Sequence, residues 1–164
     1  MSRRTHRKIA VTTPEPQQPT FQIEKIYVKD LSLELPNAPQ IFLQSEQPQL
    51  EVQVHSDAGQ VSEGLFQVVV TVTVTARAGE KTLFLAEAAQ AGIFTVRNVP
   101  AADLDSLLAI ACPNILYPYV RETISDVVTR GGFPPVLLAP VSFEAIHAQR
   151  LQAAAGAAQS QAAN

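Results

Sequence analysis

Phe66-Gln67-Val68-Val69-Val70-Thr71-Val72-Thr73-Val74-Thr75-Ala76 is the stretch that decides the fold. In an extended chain successive side chains point to opposite faces. Phe66, Val68, Val70, Val72, Val74 and Ala76 therefore share one face, and Gln67, Val69, Thr71, Thr73, Thr75 and then Arg77 share the other. β-Branched residues are stiff at χ1 and pack well on a pleated surface, so the run predicts a half-buried strand. Ala78-Gly79-Glu80 has hairpin length and a glycine able to take positive φ, and it leads into a second run, Thr82 to Gln90. Leu50, Val52 and Val54 mark a shorter strand before it. From Phe21 to Leu35 the odd positions carry Phe21, Ile23, Lys25, Tyr27, Lys29, Leu31, Leu33 and Leu35, opposed by Gln22, Glu24, Asp30, Ser32 and Glu34. Short links between four strands predict an antiparallel sheet, because parallel neighbours need long crossovers.

The pattern changes after Val99. Pro100 opens a segment in which Leu104, Leu107, Leu108 and Ala111 follow helical spacing, with Asp103 and Asp105 near its positive end. Pro113 interrupts it and starts a second helix to Arg130, closed by Gly131-Gly132 and Pro134-Pro135. Ser142 is a good N-cap for a last helix through Phe143, Ile146 and Leu151. Strands first and helices second predict an α+β fold, a four-stranded antiparallel sheet with helices packed on one face.

At 164 residues and 46% hydrophobic content the chain suits one domain. Residues 1–19 read as a flexible tail, rich in proline and carrying Arg3, Arg4, Arg7 and Lys8. Residues 20–151 form the domain, and residues 152–164, almost entirely Ala, Gln, Gly and Ser, form a second flexible tail. A net charge of -3 argues against nucleic-acid binding, and the body between Thr20 and Arg150 is clearly acidic. The single cysteine, Cys112, allows no intrachain disulfide. The basic start lacks a following apolar stretch, and no apolar run approaches the ~20 residues needed to cross a bilayer. A soluble, cytoplasmic protein is expected.

Chemistry is sparse. His6, His55 and His147 lie far apart with no partner at metal-ligand spacing, so no metal is expected. Cys112 could pair with His147 as nucleophile and base, but it ends the apolar run Leu107 to Ala111 and reads better as a packed core thiol. There is no Gly-rich phosphate loop, and no cofactor is expected. Arg121, Glu122, Asp126 and Arg130 read as surface pairs along a helix.

Two features exceed ordinary core or surface. Pro36 to Pro48 is a long link with an apolar cluster, Ile41-Phe42-Leu43, which either walls a peptide groove or caps the core. The polar face of the first strand presents Asp30 and Glu34 together, and a matching strand presents Leu85 beside Glu87. This face is either simply solvated or an acidic patch for a basic partner.

The words Phe21-Gln22-Ile23, Ile26-Tyr27-Val28-Lys29-Asp30, Pro36-Asn37-Ala38-Pro39, Gly92-Ile93-Phe94 and Cys112-Pro113-Asn114-Ile115-Leu116-Tyr117-Pro118-Tyr119, with Arg121-Glu122 and Leu138-Ala139-Pro140-Val141 before Phe143, resemble the SecB family. That family comprises bacterial protein-export chaperones. The resemblance covers about Thr20 to Leu151 and implies a SecB-like α+β fold assembled as a homotetramer, a dimer of dimers. It implies an ATP-independent chaperone, with no active site or cofactor, that keeps unfolded precursor proteins translocation-competent and delivers them to the motor SecA. SecA's zinc-bearing tail would dock on Asp30, Glu34, Leu85 and Glu87, so the zinc belongs to the partner. Clients would lie in grooves lined by Leu50, Val52, Val54, Phe94, Leu104, Leu107 and Tyr119, and Ala86, Ala88 and Gln90 would help hold the two dimers together. Glu46 stands where the family often has tryptophan, and Gln90-Ala91-Gly92 replaces a Gln-Gly-Gly word. The competing readings are a SecB-like chaperone dedicated to an antitoxin or other single client, and an enzyme built on Cys112 and His147.

Overall fold

The computed structural model describes residues 17–43 and 45–162, and side chains as far as residue 158. The basic cluster Arg3 to Lys8 lies outside the described residues. Four antiparallel strands, β1 (Thr20–Glu34), β2 (Gln49–Ser62), β3 (Leu65–Ala78) and β4 (Lys81–Arg97), form one sheet in the order β1-β4-β3-β2. Helices α1 (Ala101–Ser106), α2 (Cys112–Arg130) and α3 (Phe143–Ala162) follow.

The hairpin between β3 and β4 forms where the sequence predicts it. Gly79 turns β3 into β4 at φ 58°, and Gly64 turns β2 into β3 at φ 69°. β2 and β4 run longer than the sequence suggests. Their extra residues are held by β3, which pairs with Gly59 and Gln60 on one side and with Gly92 and Phe94 on the other. Tertiary pairing overrides weak strand propensity there.

The long link after β1 acquires a plain purpose from this order. β1 and β2 are opposite edges, so the chain must cross the end of the sheet between them, about 14 Å at ordinary strand spacing. Asn37 Nδ2 donates to the carbonyl of Thr82 at 2.9 Å, tying the link to the start of β4. A 3-10 turn, Gln40–Leu43, then divides the apolar cluster. Ile41 enters the core, the Phe42 ring meets Phe133 at 5.4 Å, and Leu43 is 88% exposed.

β1 departs from simple alternation. Register shifts between Ile23 and Lys25 and between Val28 and Asp30 each add one residue to this strand. The first shift sends Lys25 and Tyr27 to the face opposite Phe21 and Ile23, and the second restores phase so that Asp30, Ser32 and Glu34 share a face. Tyr27 consequently receives a hydrogen bond from Gln67 Nε2 on the polar side of β3.

Between α1 and α2 the helical path does not stop at Pro113, contrary to expectation. Leu107–Ala111 forms a π turn and joins the two helices. The backbone N–H of Cys112 donates to Leu107 O, five residues back. Proline lacks a donor and its ring clashes with the carbonyl four residues earlier; widening the preceding turn accommodates both. α2 ends as predicted, with Gly132 in the left-handed region at φ 88° and hydrogen bonds from Gly132 N to Thr129 O and Phe133 N to Val128 O.

α2 buries Cys112, Leu116, Val120, Ile124 and Val128 against the central strands. Their seat is the even-numbered face of β3 and β4, where Val68, Val70, Val72, Val74, Ala86, Ala88 and Phe94 are fully or almost fully buried. Phe143 packs on Tyr117 edge to face at 5.7 Å, and the Tyr117 hydroxyl donates to Ala139 O at 2.6 Å. Ser142 caps α3 by accepting the N–H of Ala145 at 3.1 Å. α3 continues through Ala162, beyond the Leu151 boundary read from the sequence, and its last described side chains are exposed. It is fastened by His147 Nε2 to Asp105 Oδ2 at 3.2 Å and by Arg150 Nη1, which donates to Ser56 Oγ at 3.4 Å.

Candidate functional site

The sheet has one face under α2 and one face open. Cross-strand register defines the open face row by row. Glu34, Leu85, Thr75 and Glu51 align across the four strands. Ser32, Glu87, Thr73 and Gln53 form the next row, and Asp30, Ala89, Thr71 and His55 the one after. Asp30, Glu34, Leu85 and Glu87, singled out from the sequence, are thus gathered on two adjacent strands, β1 and β4, with Leu85 directly opposite Glu34. Thr73 Oγ1 donates to Glu87 Oε2 at 2.8 Å, which fixes that carboxylate while leaving its other oxygen available. A half-buried leucine flanked by carboxylates offers an apolar anchor inside an acidic rim. Such a surface suits a cationic partner that also buries apolar area.

The helix-side face shows where α2 stops. The helix covers β3 and β4 and leaves apolar residues of both edge strands in the open. On β2, Leu50 and Val52 are exposed, Val54 is half-buried, and Ser56 is buried where Arg150 docks. On β1, Phe21, Ile23, Val28 and Leu31 are exposed. Isolated exposed leucines are ordinary, whereas rows of them beside a helix form continuous apolar strips.

The proposed client-groove residues divide accordingly. Leu50, Val52 and Tyr119 are exposed, and Val54, Leu104 and Leu107 are half-buried against the core. Phe94 requires correction: it is fully buried, with its ring stacked on Phe21 at 5.7 Å, so it supports the floor and does not line an open groove. Ala86, Ala88 and Gln90 lie beneath α2 in this chain, with Thr123 Oγ1 donating to Gln90 Oε1 at 3.5 Å. The strip on β1, together with Leu137, escaped the sequence reading. Alternation marks an apolar face but does not say that one helix is too narrow to cover it. The edge position of β1 is the signal that finds it.

Burial pushes the Cys112 thiol up to about 12, and Nε2 of His147 is engaged by Asp105. Among the described residues no cluster of His, Cys, Asp and Glu could hold a metal ion, and no helix is long and apolar enough to cross a membrane.

Comparison with known proteins adds the following. Residues 14–154 match the family described as SecB, preprotein translocase subunit SecB. A protein of Methylobacillus flagellatus named Protein-export protein SecB is 62% identical over 136 residues, covering 83% of this chain and 87% of its own. One of the same name from Chromobacterium violaceum is 62% identical over 133 residues, 81% of this chain and 89% of its own. Among solved structures, the Mycobacterium tuberculosis SecB-like chaperone Rv1957, in complex with a peptide from the HigA1 antitoxin, has the same fold with a TM-score of 0.61. It shares 18% identity and covers 74% of this chain and 90% of its own.

Proposed function

This chain belongs to the SecB family, and we propose that it carries out its export-chaperone function by holding unfolded precursors on the helix side of the sheet and meeting the motor SecA on the other. The observation that carries this division of labour is the parity of β4. Leu85 and Glu87 face outward with Asp30 and Glu34, while Ala86, Ala88 and Gln90 face inward beneath α2.

Client binding needs apolar area with little sequence preference. The strips Leu50-Val52-Val54 and Phe21-Ile23-Val28-Leu31 supply it at ~25 cal/mol per Å² buried, before ordering costs. Release needs no nucleotide on this chain: it follows when SecA, docked on the acidic face, competes for the client. The working form is a homotetramer in the cytoplasm, in which several weak contacts on one client add by avidity. Ala86, Ala88 and Gln90 act on assembly through the seating of α2, since the helix covers them in each protomer. The binding reading accounts for both surfaces; a Cys112–His147 enzyme accounts for neither.

The test is a pair of titrations, one with an unfolded precursor and one with the basic zinc-bearing tail peptide of SecA, comparing wild type with Asp30→Ala/Glu34→Ala while light scattering reports mass. Loss of the SecA peptide with retention of client in a tetramer is the expected result. Loss of both ligands together would mean that the two surfaces are not independent, and the division proposed here would fail.

A further inference from the structure

The rows that carry the acidic patch continue along the sheet into a trough. Beyond Leu85 and Glu87 the residues of β4 shrink to Ala89 and Ala91, and those of β3 facing them are Thr71 and Val69. The open face steps down at this point into a concavity of about 500 Å³ that includes Ala89, Thr71 and Val69. Its walls are the two edge strands. Asp30 and Lys29 stand on β1, and His55 and Asp57 stand on β2.

Both walls are held by side-chain contacts. His55 Nε2 lies 3.7 Å from Asp57 Oδ2, and its Nδ1 lies 3.4 Å from Arg150 Nη2 at the edge. On the far side Lys29 Nζ donates to Gln67 Oε1 at 3.1 Å, and Gln67 in turn donates to Tyr27. This chain of bonds closes one end of the trough, while the other end opens onto Leu85 and Glu87. Asp30 belongs both to the patch and to the trough wall.

We propose that the acidic docking surface extends into this trough, which takes an outstretched lysine or arginine side chain of the same basic partner that meets Leu85 and Glu87. Ala89, Val69 and Thr71 supply a largely apolar floor for the aliphatic stem, and Asp30 on one wall and Asp57 on the other each supply a carboxylate that a head leaning to that side can meet. Lys29, drawn to the closed end by Gln67, repels a second cation and sets how far the partner can run. Asp57, on β2 and one row beyond Asp30, and Ala89, opposite Asp30 on β4, are thereby docking residues in addition to the Asp30–Glu34–Leu85–Glu87 quartet. The inference rests on the docking reading given under the proposed function.

Two substitutions test it in the full-length chain. Ala89→Leu fills the trough from its floor, on a face away from the core. Asp57→Asn removes one wall charge from a side chain that is 82% exposed and carries no packing. Isothermal titration with the SecA tail peptide should show binding weakened about tenfold by Ala89→Leu and about threefold by Asp57→Asn, the second with a shallower salt dependence. Affinity for an unfolded precursor should stay unchanged in both. Wild-type tail affinity in both variants, alongside loss in Asp30→Ala/Glu34→Ala, overturns the trough and leaves the patch standing. Wild-type affinity in all three overturns the docking reading itself.

Discussion

Gly92→Ala is the sharpest single test of how α2 is seated. Gly92 lies on the helix-side face of β4, between Gln90 and Phe94, and a Cβ there would stand 2.6 and 2.8 Å from Cε2 and Cζ of Phe94 and 2.9 Å from Cδ2 of Leu116. Ordinary carbon contacts lie near 3.5–4.0 Å, so three atoms would have to retreat by most of an ångström. Neither neighbour has room, since both Phe94 and Leu116 are fully buried. Overpacking of this kind costs about 1–3 kcal/mol, from which the lower unfolded-state entropy of alanine returns about 0.4–1 kcal/mol. A net loss of about 1–2 kcal/mol is expected. With no tryptophan in the chain, urea unfolding followed by circular dichroism at fixed protomer concentration is the suitable assay. Phe94→Leu removes the ring edge that the new methyl meets, so the double variant should be more stable than the sum of the two changes predicts, by about 1 kcal/mol. An unchanged midpoint in Gly92→Ala, or strict additivity in the double variant, would refute the close approach of helix and strand.

Ser142→Ala should cost about 1 kcal/mol and speed amide exchange in the first turn of α3, because it removes the acceptor for the Ala145 N–H. The same residue bears on pH. Glu144 is held below the usual carboxylate range by its own backbone N–H, then by Ser142 and Asn114. Its contribution is therefore present above the unfolded-state value and lost as pH falls through the lower folded one. Amide protection at the start of α3, taken relative to the intrinsic exchange rate at each pH, should fall on acidification into that window in wild type and less so in Ser142→Ala. Cys112, with its thiol pushed up to about 12 by burial, should react with a thiol-specific disulfide reagent at pH 8 only as fast as the domain opens. Rapid modification of the native protein would place that side chain at a surface the fold does not provide.

How much of this was legible depends on the range of the interaction concerned. The valine-threonine ladder of β3, the Gly79 hairpin, the Gly131-Gly132 stop and the Ser142 cap are local rules, and each appears where the residues put it. Asp30 with Glu34, and Leu85 with Glu87, were found as pairs because two-residue spacing fixes a shared face. Their meeting across β1 and β4 depends on the register shifts in β1, which alternation alone does not reveal. The π turn before Pro113 was missed because a proline reads as a stop unless the preceding turn can widen. The split of Ile41, Phe42 and Leu43 among core, ring contact and solvent depends on where the link crosses the sheet, which is set by the strand order.

β4 also explains how one thin sheet would keep the two proposed ligands apart. Three of its inward residues, Ala86, Ala88 and Gly92, are small, and α2 sits close over them; its outward residues include Leu85 and Glu87, where the partner is proposed to dock. On the proposed reading, enlarging an inward residue lifts the helix and changes assembly and the apolar strips together, while enlarging an outward one obstructs docking alone. A one-residue slip of β4 would exchange these roles, burying Glu87 under α2 and exposing Ala86 and Ala88. The cost of burying that carboxylate guards the register, so the same glutamate proposed to meet the partner also keeps the strand in phase.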